Sequence, residues 1–395
     1  MRVVVVSAWE PWRDSDGAAL ILRHQLPIWA QRHDVLLLAA GAPAATGSVP
    51  SSVGELLPGV EVRWFGTTRG PVADQVGRRG WSLCHREPAH VRYVERPGLL
   101  AALDAAAPSA DVLHLHGWGT ARLWRHAAGR PTVHVAVDPW SVNVGNRRRS
   151  VPRHLLELEQ RPAIRRHEAG HYPRLDAVVV VAEPDVAPIA RLAPAARVVV
   201  VPNGVVAGPD PAPPPDQPVI GFHGAYESRA NVDAAIALVR QILPGVRRQL
   251  PTTRAVLIGR QPPRELRALA ADGAVEVRPD VDDVRAELDA MSVHVDWMTS
   301  GTGLKNKVLE AMAAGRPVVA SRLGAAGIGA GPGVVVADDV ETAVGEIVRL
   351  LRDRKLAAAT GAAGRRRVVA DFGWPANAER IEALWRQAVA AKGRR

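Results

Sequence analysis

The lysines of this chain are concentrated in one glycine-rich turn. The chain has 395 residues and 50 Lys or Arg side chains, but only four are lysines. Two of them, Lys305 and Lys307, lie in the segment SGTGLKNKVLEAMAAGRPVVAS (300–321), just after Gly301 and Gly303. Glycine allows a ligand to approach the backbone closely, and the first amides of a helix attract anions because they lack internal acceptors. The turn therefore predicts a phosphate site in which lysine supplies a compact charge.

A carboxylate follows the lysines on the same predicted helix, which we expect to begin near Leu304. Glu310 comes three residues after Lys307, so the two side chains share a helix face. A carboxylate beside a diphosphate is repelled unless it faces neutral donors. The adjacent hydroxyls of a ribose suit it, because a carboxylate accepts two hydrogen bonds. A plain surface pair of Lys307 and Glu310 after an ordinary glycine turn is the alternative.

Short β-branched runs predict the strands that position this turn. In chain order they lie at 3–6, 35–40, 61–65, 111–116, 132–137, 177–182, 197–202, 219–224, 254–259, 275–279, 293–298, 317–321 and 333–337. Continuous apolar runs fit strands buried on both faces of a parallel sheet. Many of the segments between them have helical length and period, and alternation of strand and helix predicts an α/β fold.

A proline-rich stretch, VAGPDPAPPPDQP, divides the predicted strands into two sets. A single core stops growing at roughly 250–300 residues, so a chain of this length is expected to form two domains. We predict two Rossmann-like parallel-sheet domains facing a central cleft, joined by a linker that its prolines stiffen. The predicted parts are domain 1–205, linker 206–218, domain 219–375 and a terminal helix 376–395 that packs back toward the first domain.

The composition restricts the partners of the chain. The net charge is +10 and is shared by both halves, which favours anionic ligands. Only three Tyr and three Phe are present, so no base-stacking surface and no nucleic-acid partner are expected. The single cysteine, Cys84, excludes a disulfide framework within one chain. With no signal-peptide pattern and no apolar stretch of spanning length, we expect a cytoplasmic monomer or homodimer, either free or peripheral to the inner face of the membrane.

Several segments occur in the order and spacing of one protein family. They are SAWEPWRDSDGAALILRHQL, DVLHLHGW, RVVVVPNGV, FHGAYESRANVDA and GTGLKNKVLEAMAAGRPVVAS. Together they resemble glycosyltransferase family 4, retaining enzymes of the GT-B fold, over nearly the whole chain. The resemblance implies a nucleotide-sugar donor in the second domain and a small-molecule or lipid-linked acceptor in the first. It also implies that no cofactor and no metal are needed.

The resemblance further implies roles within the second domain. Glu310 matches the second acid of the family's Glu-x7-Glu pair and would hold the ribose, whereas Thr302 replaces the first acid, which normally contacts the donor sugar. Arg229 is the cation that the segment after the first strand of this domain offers to the diphosphate, so a lysine of the turn would add the second charge. The donor-binding candidates are Gly301, Thr302, Gly303, Leu304, Lys305, Asn306, Glu310, Tyr226 and Asn231, and the catalytic candidates are Lys307, Arg229 and His116.

Two histidines, His114 and His116, end the predicted strand DVLHLH in the first domain. A strand terminus that faces a cleft is a suitable place for a substrate-binding group. In the family a histidine here lies near the reacting sugar, and His116 matches it best. A hydrogen-bonded structural histidine is the alternative for both residues.

Four further residues are candidates for acceptor binding. Asp16 and Gly17 lie at the first strand-to-helix turn, where they either admit a substrate or form an ordinary helix cap. Asp138 and Trp140 follow the predicted strand TVHVAV, where they either line the acceptor side or belong to a solvated loop.

Three other motifs suggest metals or acidic partners. HEAGH (167–171) is a literal H-E-x-x-H, the zinc-protease pattern, but Gly170 weakens the helix and no third ligand is evident, so we interpret it as a chance match. DVDD (280–283) contains Asp-x-Asp and is expected to cap the next helix. The basic run NRRRSVPRH (146–154) is interpreted as a solvated loop, with anionic lipid or an acidic acceptor as the alternative.

The sequence therefore predicts a retaining glycosyltransferase that moves a sugar from a nucleoside-diphosphate sugar to a hydroxyl or amine. Its Ala- and Arg-rich usage suggests natural-product or surface-polysaccharide biosynthesis. One alternative is a sugar-nucleotide 2-epimerase of the same fold. Another, motivated by Thr302, is a non-catalytic protein that binds nucleotide sugars.

Overall fold

The structure of the chain is a computed structural model that describes residues 1–12, 17–41, 53–66, 71–144 and 158–394. For residues 71–76 and for Asp272 it describes the backbone only. The described residues form two compact units. The first consists of Met1–Val144, Leu155–Pro202 and Trp374–Arg395, and the second contains Asn203–Gly373.

The described part of the first unit contains a seven-stranded sheet. Its strands are β1 (Arg2–Ser7), β2 (Asp34–Ala40), β3 (Glu61–Phe65), β4 (Val112–His116), β5 (Thr132–Val137), β6 (Ala177–Val180) and β7 (Val198–Val200). Their order is β3-β2-β1-β4-β5-β6-β7, and every pair is parallel. The central strands are buried on both faces, as Val3, Val4, Val5 and Val6 show with no exposed surface, which confirms the prediction of a parallel α/β sheet.

Helices join these strands. The α-helices are Gly17–Ala30, Val53–Leu56, Pro71–His85, Val91–Val94, Pro97–Ala106, Trp140–Asn143, Arg161–His171, Val186–Leu192 and Trp374–Lys392. Short 3-10 turns lie at Ala107–Ser109, Ala121–His126, Tyr172–Arg174 and Glu183–Asp185. None of the helices among the described residues combines the length and the apolar character that crossing a membrane would require.

The terminal helix Trp374–Lys392 is part of the first unit. Trp385 is fully buried and packs against Trp29 with ring centroids 4.6 Å apart. Its indole N–H donates to His114 Nδ1 at 3.3 Å. Near the start of the helix, the Asn377 amide donates to the carbonyl of Pro202. The helix therefore closes the core of the first unit at the point where the chain enters the second.

The described part of the second unit contains a six-stranded sheet. Its strands are β8 (Val219–His223), β9 (Arg254–Gly259), β10 (Val275–Pro279), β11 (Val293–Asp296), β12 (Val318–Ser321) and β13 (Val334–Ala337). They are ordered β10-β9-β8-β11-β12-β13, and all pairs are parallel. Every predicted strand thus has a counterpart among β1–β13, and the prediction of two Rossmann-like sheets is confirmed.

The second unit has the following helices. They are Arg229–Ala237, Leu243–Gln249, Arg264–Arg267, Val284–Asp289, Asn306–Ala313, Val340–Arg352 and Arg354–Asp371, with a π-turn at Leu238–Ile242 and a 3-10 turn at Ala268–Asp272. The acidic segment 280–283 caps one of them, because Asp283 accepts hydrogen bonds from the amides of Arg285 and Ala286.

The proline-rich segment 206–218, predicted as a linker, is held on the second unit by arginines. The guanidinium of Arg365 donates to the carbonyls of Ala207 and Gly208 at 2.6 and 2.9 Å. Arg285 donates to the carbonyl of Pro209 at 3.0 Å. A proline-rich chain has few N–H donors and many free carbonyls, so guanidinium forks satisfy it well.

A buried polar cluster holds the helix Arg161–His171 in the first unit. Glu87 accepts from His167 Nδ1 at 2.7 Å and from His171 Nε2 at 2.9 Å. The next residue of the helix, Glu168, is fully buried and accepts from the amide of Ser141 at 3.3 Å. The H-E-x-x-H segment therefore fixes the loop that follows β5, which contains two of the candidate acceptor residues.

We predict that Glu87→Gln lowers the free energy of unfolding by about 1.5–3 kcal/mol at neutral pH, because it removes an ionised acceptor from two buried donors. Burial raises the pKa of Glu87, but the hydrogen bonds from His167 and His171 outweigh it and hold the pKa well below its ordinary value. A carboxyl whose pKa is depressed on folding contributes stability above its unfolded pKa of about 4.3 and loses it below. Chemical denaturation should therefore show a difference between the two proteins that shrinks as the pH falls below about 4.

The matched control is Glu61→Gln, since Glu61 is half-exposed and pairs with Arg63 at 2.7 Å. A surface pair of this kind contributes about 0–1 kcal/mol, so the control should unfold close to wild type. Equal stability losses in the two variants would contradict the role assigned to the buried cluster.

Candidate functional site

The glycine-rich turn of residues 300–305, called the lysine turn below, lies between the end of β11 and the helix Asn306–Ala313 in the second unit. Gly301 and Gly303 have φ angles of 110° and 69°, in the left-handed region that favours glycine. The helix begins two residues later than Leu304, the predicted start, because the backbone of its N-cap residue, Lys305, is extended, with φ −90° and ψ 94°. Asn306, the first residue of the helix, accepts from the Asn203 amide at 2.8 Å, which ties the turn to the start of the unit.

Lys305 in the turn and Lys307 in the first turn of the helix have different partners. Lys305 is buried, and its ammonium donates to the carbonyls of Thr302 at 2.7 Å and Gly303 at 2.9 Å. It therefore braces the turn from within. Lys307 instead donates to Asn231 Oδ1 at 2.7 Å and lies 4.9 Å from the centroid of the Phe222 ring. An ammonium has three N–H donors, so Lys307 keeps donor capacity for a ligand.

Two carboxylates lie near Lys307 and affect its charge. Burial lowers the pKa of Lys307, and the carboxylates of Asp296 and Glu310 oppose that shift. Asp296, at the end of β11, has no exposed surface. Burial raises its pKa, and Lys307 and Lys305 act in the opposite direction. Burial leaves the ammonium of Lys307 poorly hydrated, so a phosphate beside it would stabilise the charged form.

Glu310 is held by a histidine rather than by a lysine. His223 Nε2 donates to Glu310 Oε2 at 2.7 Å, and His223 Nδ1 lies 3.1 Å from His294 Nε2. Burial raises the pKa of Glu310, but the hydrogen bond from His223 and the charge of Lys307 outweigh it and hold the pKa below its ordinary value. The side chain of Glu310 is 40% exposed, so this ionised carboxylate remains open to a ligand.

Asn231 and Gly224 complete the surroundings of Lys307. Asn231 accepts from Lys307 through its oxygen and donates through its nitrogen to the carbonyl of Ala225 at 2.7 Å. A Cβ atom on Gly224 would lie 3.0 Å from the Asn231 amide nitrogen and 3.3 Å from Lys307 Cε. The glycine after β8 therefore leaves the space in which Lys307 and Asn231 meet.

The prediction for Tyr226 needs correction, whereas that for Arg229 stays a prediction. Arg229 is exposed, and its guanidinium pairs with Asp233 at 2.7 Å and with Glu265 at 3.5 Å. Surface pairs of this kind contribute about 0–1 kcal/mol, so they do not prevent the guanidinium from binding a phosphate. Tyr226 has no exposed surface and belongs to the hydrophobic core. Its aromatic ring packs inside the unit instead of facing a donor.

Three residues near the turn were missed by the sequence reasoning: His223, His294 and Asp296. Each is a polar residue at or near the carboxyl end of an apolar strand, β8 or β11, and each is buried. That position was the available signal, since ligands of parallel sheets bind at the carboxyl ends of the strands.

In the first unit, His116 lies at the end of β4 with no exposed surface. Its Nε2 donates to the carbonyl of Ala18 at 2.9 Å, so Nδ1 of the neutral ring carries a lone pair. That atom is buried and has no hydrogen-bond partner among the described residues. Burial lowers the pKa of His116 to about 4, against the opposing effect of the bond to Ala18. The ring is therefore a neutral acceptor at physiological pH.

The other acceptor candidates have different surroundings. His114 is a core residue between Trp29 and Trp385, which corrects its assignment to acceptor binding. Trp140 is buried too, with its ring parallel to that of Trp118 at 5.9 Å, so it does not belong to the solvated loop of the alternative interpretation. Asp138 accepts from the Asn143 amide at 2.8 Å.

The remaining candidates, Asp16, Gly17 and the basic run, lie at or beyond the limits of the described residues. Gly17 begins the helix Gly17–Ala30. Asp16 and the basic run 146–154 lie outside the described residues.

The H-E-x-x-H segment gains a third potential ligand in the structure. The ligand atoms of Glu87, His167 and His171 lie within 4.8 Å of one another, a set that could suit a divalent ion. However, the Trp124 indole donates to His171 Nδ1 at 3.3 Å, which leaves the proton of a neutral ring on Nε2, the atom that faces Glu87. Metal-binding histidines donate from their second nitrogen instead of accepting there. These proton positions favour hydrogen bonds from His167 and His171 to Glu87 over the binding of a metal ion.

Two family models match the chain in tandem. The model described as "Glycosyl transferase 4-like domain" matches residues 16–204. The model described as "Glycosyl transferases group 1" matches residues 217–353, which contain the lysine turn. No curated protein matches the chain.

Solved structures share the architecture at low sequence identity. A sucrose-phosphate synthase from Thermosynechococcus elongatus matches with a TM-score of 0.71 and 18% identity, over 99% of this chain and 100% of that one. HepE from Anabaena, in complex with UDP and glucose, matches with a TM-score of 0.66 and 15% identity, over 97% of this chain and 98% of that one. A glycosyltransferase from Rickettsia africae matches with a TM-score of 0.66 and 11% identity, over 98% of each chain.

These likenesses show the fold, and the family models add the class of protein. Two parallel sheets with Rossmann strand order are the architecture that the resemblance implied, and the tandem models cover most of both units. The chain is thus a transferase that belongs to the family 4-like glycosyltransferases of the GT-B fold.

Proposed function

We propose that the protein transfers a sugar, with retention of anomeric configuration, from a nucleoside-diphosphate sugar to a hydroxyl or amine acceptor. The observation that carries the proposal is the pair of charges on the helix Asn306–Ala313, one turn apart. The Lys307 ammonium donates to Asn231 and Met298 and has a third N–H for a ligand, and the Glu310 carboxylate is 40% exposed. The ammonium suits the diphosphate, and the carboxylate suits the ribose hydroxyls. UDP is the first nucleotide to test, because the structure of HepE holds UDP and glucose.

The chemistry follows from these roles. The bond between the anomeric carbon and the diphosphate oxygen breaks, and a bond from that carbon to the acceptor oxygen or nitrogen forms on the same face. The acceptor proton passes to the departing diphosphate. Lys307 and the amides at the start of the helix stabilise the charge that develops on this leaving group. His116 in the first unit presents Nδ1 as a neutral acceptor to a substrate hydroxyl.

A direct assay tests the reaction. The protein is incubated with UDP-, GDP- or TDP-sugars and a panel of acceptors, while nucleotide release and the anomeric coupling constant of the product are followed by NMR. Release of nucleotide with a retained anomer is expected. An inverted product would contradict retention, interconversion of the donor without acceptor would indicate the 2-epimerase, and binding without turnover would indicate a non-catalytic protein.

The same assay tests the need for a metal. We propose that none is needed, because the ammonium of Lys307 and the helix amides supply the positive charge that a metal provides in other sites. Activity should persist after treatment with EDTA. Loss of activity that returns with Mg²⁺ or Mn²⁺ would overturn this part of the proposal.

We predict that Lys307→Gln weakens nucleoside-diphosphate binding about 10–100-fold, the equivalent of one charged hydrogen bond of about 1.5–3 kcal/mol. Calorimetric titration with UDP measures it. Because the pKa of Lys307 is lowered and the cation is the binding form, wild-type affinity should fall as the pH rises through that lowered pKa, and the variant should lack this dependence. Lys355→Gln, at an exposed lysine, is the control. Unchanged affinity in Lys307→Gln would contradict the assignment.

We predict that His116→Phe lowers kcat/KM about tenfold, because one neutral hydrogen bond contributes about 1.4 kcal/mol or less to the transition state. The wild-type rate should show no titration from His116 between pH 6 and 8, since its pKa is about 4. The control is His126→Phe, at a partly exposed histidine that pairs with Asp104. Equal rates in the two variants would exclude His116 from the site.

A further inference from the structure

The helix Asn306–Ala313, which follows the lysine turn, carries two opposite charges that are close in sequence but not paired. Lys307 and Glu310 are both described by the structure, and they form no ion pair with each other: Asn231 accepts from Lys307, and His223 donates to Glu310. Each charge is instead held by a side chain from the segment that begins at the end of β8. Without these partners, a lysine and a glutamate at this helical spacing would approach each other.

We propose that His223 is the positioning residue for the donor ribose: it holds Oε2 of Glu310 and thereby directs Oε1 to the ribose hydroxyls, away from Lys307. The inference rests on the proposed function of the turn as the donor site. In this arrangement His223 determines whether the ribose is recognised, because Glu310, on the helix, depends on a residue of β8 for its orientation.

The geometry places His223 well for this role. It is the last residue of β8, is 4% exposed, and reaches Glu310 at 2.7 Å. Behind it, His294 of β11 has no exposed surface and lies 3.1 Å away, with ring centroids 5.0 Å apart and planes at 70°. The imidazole of His223 is therefore fixed on one side by a buried ring and on the other by the carboxylate.

The proton positions follow from the carboxylate. An ionised carboxylate only accepts hydrogen bonds, so the Nε2 atom of His223 must carry the proton that faces Glu310. In the neutral ring, Nδ1 carries a lone pair and accepts a hydrogen bond from the Nε2–H group of His294. The chain of hydrogen bonds runs in one direction, from His294 through His223 to Glu310, and it fixes both the ring and the carboxylate.

This arrangement has a consequence for ligand recognition. Oε2 already accepts one strong hydrogen bond, while the exposed part of the carboxylate can accept from a ligand. Removal of the His223 donor frees Glu310 to turn toward Lys307, so the ribose and the diphosphate would lose their partners together. A matched pair of substitutions separates this role from packing: in His223→Gln the amide nitrogen still reaches Glu310, whereas in His223→Asn the side chain is one methylene shorter.

The test compares UDP with 2′-deoxy-UDP and 3′-deoxy-UDP by calorimetry. Wild type should prefer UDP over at least one deoxy form about tenfold or more, as for a hydrogen bond to a charged group. His223→Asn should reduce that preference to about twofold or less, and His223→Gln should retain most of it. In the transfer assay, His223→Asn should raise the donor KM more than it lowers kcat. His126→Asn, a histidine in the first unit, should leave both quantities unchanged.

The outcomes distinguish failure of the proposed function from failure of the role assigned to His223. If wild type binds none of UDP, ADP, GDP or TDP, the proposed function itself fails. If wild type binds UDP with a clear preference over a deoxy form, and His223→Asn is folded and keeps that preference, the role of His223 is overturned while the function stands. Wild type that binds UDP without any preference also overturns the role.

A measurement on wild type covers the case in which His223→Asn does not fold. In ¹⁵N-resolved NMR of the imidazole groups, His223 should show a protonated Nε2 that is slow to exchange, and its signal should shift more with UDP than with the discriminated deoxy form. An unprotonated Nε2, or equal shifts with both ligands, would overturn the proposal.

Discussion

The second unit depends on the separation of two opposite charges that would otherwise neutralise each other. Lys307 and Glu310 lie on one helix face, and each is held by a partner from the segment that begins with the last residue of β8, Asn231 for the ammonium and His223 for the carboxylate. The cation is poorly hydrated, and the carboxylate is kept ionised. A nucleoside diphosphate has a complementary order of groups, because its anionic phosphates are adjacent to a neutral diol.

One of the two lysines has a structural role that the sequence did not predict. The sequence suggested that both lysines serve the phosphate, but Lys305 donates to two carbonyls of its own turn. A glycine-rich turn with positive φ angles leaves its carbonyls without partners from a helix or a sheet, and one buried ammonium satisfies two of them. Half of the lysine charge is therefore structural, and it maintains the backbone from which Lys307 extends.

The sequence predicted the strands well because strands buried on both faces are continuous apolar runs, as in Val3 to Val6. It was less successful with side chains whose environment depends on distant residues. His114 and His116 are two residues apart and therefore on the same face of β4. The deeper one, His114, packs against Trp385 of the terminal helix, whereas His116 lies at the strand end. Each ring keeps one buried nitrogen without a hydrogen-bond partner among the described residues, so their surroundings and not their hydrogen bonds distinguish them. Tyr226 was assigned to the donor surface from its position after β8, but its ring is in the core. No local pattern reports the His223–His294 contact, because it joins strands 71 residues apart.

The scarcity of lysine makes Lys307 chemically distinctive. An amine reacts with acylating reagents in its unprotonated form, and burial lowers the pKa of this ammonium. Lys305 is buried by its own turn, and Lys355 and Lys392 lie at other surfaces of the chain. Because the chain has only four lysines, peptide mapping after acylation would report the modification of Lys307 separately from that of the other amines, and a ligand that covers Lys307 would reduce it.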